Sequence, residues 1–289
     1  MNHEGDALML VAAQAPAEAL VRAAGGAAAV WVAPRPGGTM SEDAVLVLPL
    51  RPEEAVLAVA DGMGGMPGGG TAATRAVVAL AEAVEYSLAE GQSLQGAILD
   101  GIAKANASVL AMGNGAATTL AVAELSGGRV RAYNVGDSEV MVIGQRGRLK
   151  LRTISHSPVG FALQAGLVDH EEALHHEDRH VVSNFIGSRD MRIEVGSALR
   201  LGARDTVLVC SDGLVDNLRS KEITAIMRCG PLDRCLQTLA QDTLERMGGK
   251  EGGGDHPSKP DDLSLVAYRR QPGAAMLRRL PPPRQIPLE

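Results

Sequence analysis

Residues 55–90 read AVLAVADGMGGMPGGGTAATRAVVALAEAVEYSLAE, and three parts of that stretch follow three different rules. The run AVLAVA (55–60) has the length and apolar content of a buried strand. Gly64, Gly65, Gly68, Gly69 and Gly70 follow, residues whose missing side chains let a backbone pass close to whatever it encloses. From Thr71 to Glu90 there is no Pro or Gly, and apolar residues recur at the three and four spacing of a helix. A buried strand thus delivers one carboxylate, Asp61, to a sharp Asp-Gly turn before a helix.

The same grammar extends in both directions. Short apolar runs at 27–33, 44–50, 118–125, 130–135, 139–144, 206–210 and 263–268 predict further strands. Ser126-Gly127-Gly128 between two of them predicts a hairpin, so part of the sheet is antiparallel. Residues 93–111 and 231–247 predict two more helices. Residues 1–24 are Ala-rich and predict a strand or helix that caps the domain, 25–270 the main domain, and 271–289 a basic, Pro-rich tail of the kind that is usually disordered. The segment 248–260, GGKEGGGDHPSKP, predicts a loop.

Composition bounds the function. With 289 residues, 45% of them hydrophobic, the chain can bury a sizeable core, built from Ala, Val and Leu because aromatics are only 2%. A net charge of -6 and so few aromatics argue against a nucleic-acid partner. Three cysteines fit neither a zinc spacing nor a disulfide framework, and Glu4 and Asp6 stand where a signal peptide would be positive; a reducing cytoplasm, with no membrane anchor, is the expectation. Cys210 ends an apolar strand with no His signal nearby and reads as a core residue rather than a nucleophile.

Four aspartates share one local context. Asp61, Asp137 and Asp212 each touch a glycine at an end of an apolar run, and Asp261 stands just before another such run. Any one of them is accounted for as a residue that starts a turn; four in matching surroundings are not. Carboxylates gathered at a sheet edge repel one another and resist desolvation, so they need a cation. Oxygen donors without His or Cys select hard ions such as Mg²⁺ or Mn²⁺.

An ordered set of motifs sharpens this reading. AVADGMGGMPGGG (58–70) resembles the Asp-Gly-x-Gly-Gly signature of the metal-dependent protein phosphatases, the PPM or type 2C family, in its bacterial form. SEDA (41–44), ATTLAVAEL (117–125), NVGDSE (134–139), SHSPVG (155–160), HEDRHVVSNFIG (176–187), DTVLVCSDGLVDNL (205–218) and DDLSLV (261–266) follow in the family's order. The resemblance implies an α+β fold, a sandwich of two mainly antiparallel sheets flanked by helices, with a flap at about 156–186. It also implies hydrolysis of phosphoserine and phosphothreonine in proteins, opposing a Ser/Thr kinase, by water activated between two Mn²⁺ or Mg²⁺ ions. Asp61 would bridge the ions, the Gly62 carbonyl would bind one, and Asp212 and Asp261 would hold the other. Glu42 and Asp43 would orient metal waters, and Asp137 matches a third, weaker metal site.

Several positions depart from the family pattern. Gly38 stands where the phosphate-binding Arg is expected, leaving Arg35, three residues earlier, as the nearest candidate for that task. Met63 replaces a His that could protonate the leaving oxygen, Glu139 replaces an Arg, and Ser155 replaces an Asp. These departures keep open a second reading, a pseudophosphatase that binds phosphorylated partners without hydrolysis. A third comes from His176-Glu177-Asp178-Arg179-His180, the HExxH pattern of zinc proteases. On a helix its histidines would project away from the apolar face of Leu174, Val181, Val182, Phe185 and Ile186, toward solvent rather than a buried zinc cleft.

Overall fold

A computed structural model describes residues 6–63, 68–249, 258–270 and 284–285 of the chain. Fourteen strands are described: β1 (Leu8–Val11), β2 (Ala17–Ala23), β3 (Gly26–Ala33), β4 (Ala44–Pro49), β5 (Glu54–Ala60), β6 (Leu120–Ser126), β7 (Arg129–Val135), β8 (Glu139–Ile143), β9 (Leu149–Arg152), β10 (Glu194–Val195), β11 (Leu199–Arg200), β12 (Thr206–Cys210), β13 (Leu263–Arg270) and β14 (Arg284–Gln285). Two antiparallel sheets result. One runs β1-β4-β5-β6-β7-β10, with β11 also on β7; the other runs β14-β2-β3-β13-β12-β8-β9. All eight strands expected from the sequence are present, and the β6–β7 turn uses the predicted glycines, Gly127 and Gly128, both at positive φ.

The strands read as unbroken apolar runs because both faces of each sheet are covered. On β4, Val45 and Val47 point between the sheets, while Ala44, Leu46 and Leu48 pack outward with α1 (Gly69–Ala89) and α2 (Leu94–Leu110). On β12, Val207 and Val209 point inward and Leu208 and Cys210 pack outward with Leu236, Leu239 and Ala240 of α7 (Leu232–Met247). The layers are therefore helix, sheet, sheet, helix. Four shorter α-helices are also described: α3 (Pro158–Gln164), α4 (His170–His175), α5 (Asp212–Val215) and α6 (Ser220–Met227).

The N-terminal segment is built into both sheets, since β1 pairs with β4 and β2 with β3. The boundary expected at residue 24 falls in the turn of the β2–β3 hairpin. Gly64–Pro67, residues 250–257 and, apart from β14, the tail at 271–289 lie outside the described residues. No helix among the described residues is long and apolar enough to cross a membrane.

Candidate metal centre

Asp61 follows β5, and its main chain is held on both sides. Its N–H donates to Thr119 Oγ1 (3.0 Å), while its carbonyl accepts from Thr118 Oγ1 (2.7 Å) and from the Thr119 N–H (2.9 Å). Thr119 Oγ1 also lies 2.6 Å from Ser138 Oγ, so the neighbour of Asp137 is tied to the Asp61 turn. Gly62 packs against Gly69 and Glu42; a Cβ there would fall 2.5 Å from the Gly69 carbonyl carbon and 2.6 Å from the Glu42 oxygen, a space open only to glycine. The 136–137 turn is fixed by His156, whose Nδ1 accepts from the Gly136 N–H (3.1 Å) and from Asn184 (2.8 Å), with Nε2 facing Glu194 (3.0 Å).

Asp212 opens α5, and Asp261 precedes β13. They meet because Gly213 lies against the Asp262 main chain so closely that a Cβ would sit 2.1 Å from the Asp262 oxygen. The next residue, Asp262, performs a task the sequence did not reveal. Its two carboxylate oxygens accept the N–H groups of Arg35 (2.8 Å) and Glu42 (2.6 Å), which pins the 35–42 loop beside the strand end.

These placements put the predicted carboxylates in one electrostatic neighbourhood. Burial holds the Asp61 carboxyl well above the usual range, and repulsion from Asp43, Asp212, Asp261 and Asp137 adds to it. Asp137 is raised by burial and then by Asp212 and Asp216, and Asp261 by burial and then by Asp212. Asp43, 2% exposed, is raised by burial and then by Asp262. Asp216, which sequence reasoning passed over, joins the group and is pushed up to about 7 by burial and by Asp212.

Asp212 Oδ1 is buried without a hydrogen-bond partner, and the buried Asp43 carboxyl has only the hydroxyls of Ser264 and Ser211 to offset its charge. Burial of unpartnered carboxylate oxygens is costly, and an all-oxygen donor set with this excess of negative charge fits a hard divalent cation. No three acidic, His or Cys side chains among the described residues are drawn together to coordinating geometry. Lys259 stands among them instead, its Nζ 2.5 Å from Asp212, 2.9 Å from Asp216 and 3.2 Å from Asp261. Burial acts on that ammonium downward, but the three carboxylates outweigh it and stabilise the charge. The signal in the sequence was the lysine two places before Asp261, in a loop that gave no reason to turn it inward.

A cavity of about 780 Å³ adjoins the cluster, lined on one side by Asp137, Asp212 and Asp216 and on the other by Ser157, Val159 and Arg179 of the 156–186 segment. Glu139 lines it too, in a two-bond ion pair with Arg152 (2.6 and 2.8 Å), so a basic group does reach this place, from the neighbouring strand. Arg35 is exposed and closes a tight turn in which its carbonyl accepts from the Gly38 N–H (2.8 Å); its side chain makes no ion pair with the cluster among the described residues. The HExxH segment does not form the helix that the zinc pattern needs. α4 stops at His175, His176 is extended (φ -70°, ψ 139°), and Glu177–His180 is a single 3-10 turn capped by His176 Nδ1.

The sequence profile of the family described as Protein phosphatase 2C matches residues 35–247. The chain belongs to the protein phosphatase 2C family. Among the relatives of this phosphatase, a serine/threonine phosphatase stp of Listeria welshimeri is 28% identical over 197 residues, 65% of this chain and 77% of that protein. Among solved structures, Stp1 of Staphylococcus aureus superposes with a TM-score of 0.71 at 23% identity, covering 84% of this chain and 94% of that one. The catalytic domain of PstP in complex with two manganese ions superposes at 0.66 with 22% identity, covering 84% and 96%. At these identities the structures establish a shared fold, the two-sheet α+β sandwich expected from the sequence.

Proposed function

We propose that this phosphatase hydrolyses phosphoserine and phosphothreonine in proteins with two Mn²⁺ or Mg²⁺ ions at the carboxylate cluster. The observation that carries the reading is the convergence of Asp61, Asp137, Asp212 and Asp261, from four separate turns, into one mutually repelling group beside an open cavity. In this reading Asp61 and the Gly62 carbonyl bind on the β5 side, Asp212 and Asp261 on the β12–β13 side, and Glu42 and Asp43 order water around them. Ions held there lower the pKa of water toward neutrality and neutralise phosphoryl oxygens.

The chain itself supplies no nucleophile in this scheme: Cys210 is fully buried, and burial raises its thiol. Met63 offers no proton, so the leaving oxygen takes one from water or another group. The cavity between the cluster and the 156–186 flap receives the peptide, and Arg35 is the candidate for the phosphate oxygens. The name of the Listeria relative supports the substrate class. A Ser/Thr kinase in the cytoplasm is the partner that such a substrate implies.

The test is hydrolysis of a phosphothreonine peptide and of a small aryl phosphate by the purified chain. EDTA should abolish both activities, millimolar Mn²⁺ or Mg²⁺ should restore them, and zinc should not substitute well. Full activity in EDTA overturns the metal assignment.

A further inference from the structure

We propose that Lys259 is a built-in cation of this site, its ammonium taking the place of a third divalent ion, beyond the two proposed above, beside Asp212, Asp216 and Asp261. The inference rests on reading these carboxylates as a cation site, and it concerns how many ions that site accepts. An ammonium has three protons to donate. Lys259 has three carboxylates within 2.5, 2.9 and 3.2 Å, and its side chain is 22% exposed. All three partners use one oxygen, Oδ2. The remaining oxygen of Asp212, Oδ1, is buried and unpartnered, so the same carboxylate can serve an ion on its other side while Oδ2 stays with the lysine.

The lysine is held there by its main chain. Asn217, fully buried, accepts the Lys259 N–H on Oδ1 (2.8 Å) and donates through Nδ2 to the Lys259 carbonyl (2.8 Å) and to the Gly213 carbonyl (2.9 Å). One side chain thus locks the lysine to the turn that carries Asp212. Pro260 adds a second restraint, since a residue before proline is confined to extended backbone. A surface lysine that reached the cluster by chance would have no such anchorage. Asp137 lies in the field of the same ammonium, so the third, weaker ion expected beside Asp137 meets a competitor supplied by the chain itself.

The experiment counts Mn²⁺ bound per chain at saturation, from the loss of the free-ion electron paramagnetic resonance signal, in the wild type, K259Q, K259R and K259Q/D216N. K259Q should bind one more ion than the wild type. K259R keeps the charge and should retain the wild-type count, and K259Q/D216N should return to it. K259Q should also melt lower than the wild type in EDTA and recover in Mn²⁺. An unchanged count in K259Q, an extra ion in K259R, or a K259Q protein that Mn²⁺ does not stabilise would each overturn the proposal. A wild type that binds no Mn²⁺ would instead overturn the metal-centre reading; K259Q binding one ion against that background would still support Lys259 as the occupant, and K259Q binding none would overturn both.

Discussion

Asp61, Asp212 and Asp261 each bring one carboxyl group to the same small volume, and in the proposed site no neutral side chain would hold a divalent ion equally well. Asp61→Asn, Asp212→Asn and Asp261→Asn should each lower turnover by about a hundredfold or more in saturating Mn²⁺, because each would lose charge that the proposed two-ion site relies on. His176→Ala should change turnover little, since its ring caps an exposed 3-10 turn. Turnover of a phosphothreonine peptide measures both, and a dead histidine variant beside an active Asp212→Asn would sink the mechanism. Arg35 is the finer case. Its main chain is fixed next to Asp261 through Asp262, while its guanidinium is left to solvent. A guanidinium there can bind two phosphate oxygens through charged hydrogen bonds. Arg35→Ala should therefore raise KM for phosphopeptide roughly tenfold, about 1.4 kcal/mol, with a smaller change in kcat. An unchanged KM removes Arg35 from the site.

At the scale of elements, the site depends on two close approaches, the Asp61 turn against the start of α1 and the start of α5 against the end of the β13 loop. The second is the tighter. In Gly213→Ala the new methyl would meet a main-chain oxygen that cannot rotate away, so strand and helix must separate. We expect a loss of about 2 kcal/mol or more in urea unfolding, at the upper part of what overpacking costs, together with weaker Mn²⁺ binding. A variant of wild-type midpoint would show that this contact is slack. The three long helices expected from spacing are α1, α2 and α7, within two residues at each end. The HExxH segment went the other way: its spacing suits one helix, but the chain breaks at His176, where the ring turns back to accept the Asp178 N–H.

Across the molecule, stability and metal are linked through charge. Without metal, Asp43, Asp61, Asp137, Asp216 and Asp261 all hold their protons more tightly folded than unfolded, through burial first and mutual repulsion second. The folded state then binds more protons above about pH 4, so stability must fall as pH rises toward 7, through the raised value of Asp216 and beyond. Glu222 works the opposite way: burial raises it, but the Arg246 ion pair, the Arg219 N–H and the Arg219 charge together outweigh burial and lower it. Five raised carboxyls outweigh it. In EDTA the melting temperature should decline from about pH 5 to about pH 7.5, and saturating Mn²⁺ should remove that slope by favouring the ionised forms. A melting temperature that rises with pH in EDTA would show that the carboxylates are not clustered as described.

The strands, the long helices and four of the acidic turns were legible in the sequence because each depends on residues close together in the chain. A Val-rich run between Gly and Asp specifies a strand locally, and an Asp-Gly turn at its end specifies where a carboxylate emerges. The order of motifs carried the family. Tertiary structure decided the rest, because it depends on which turns are packed together. Asp216 has no strand-end context, Asp262 carries no local signal of the main-chain groups it binds, and Lys259 lay in a loop whose course is set by side chains distant in sequence, Asn217 among them. The short strands β1 and β2 were likewise undecided until β4 and β3 offered them edges. A charge shows its sign in the sequence, but its partners are set by folding, since the energy of a buried ion depends on what is brought within a few ångströms of it.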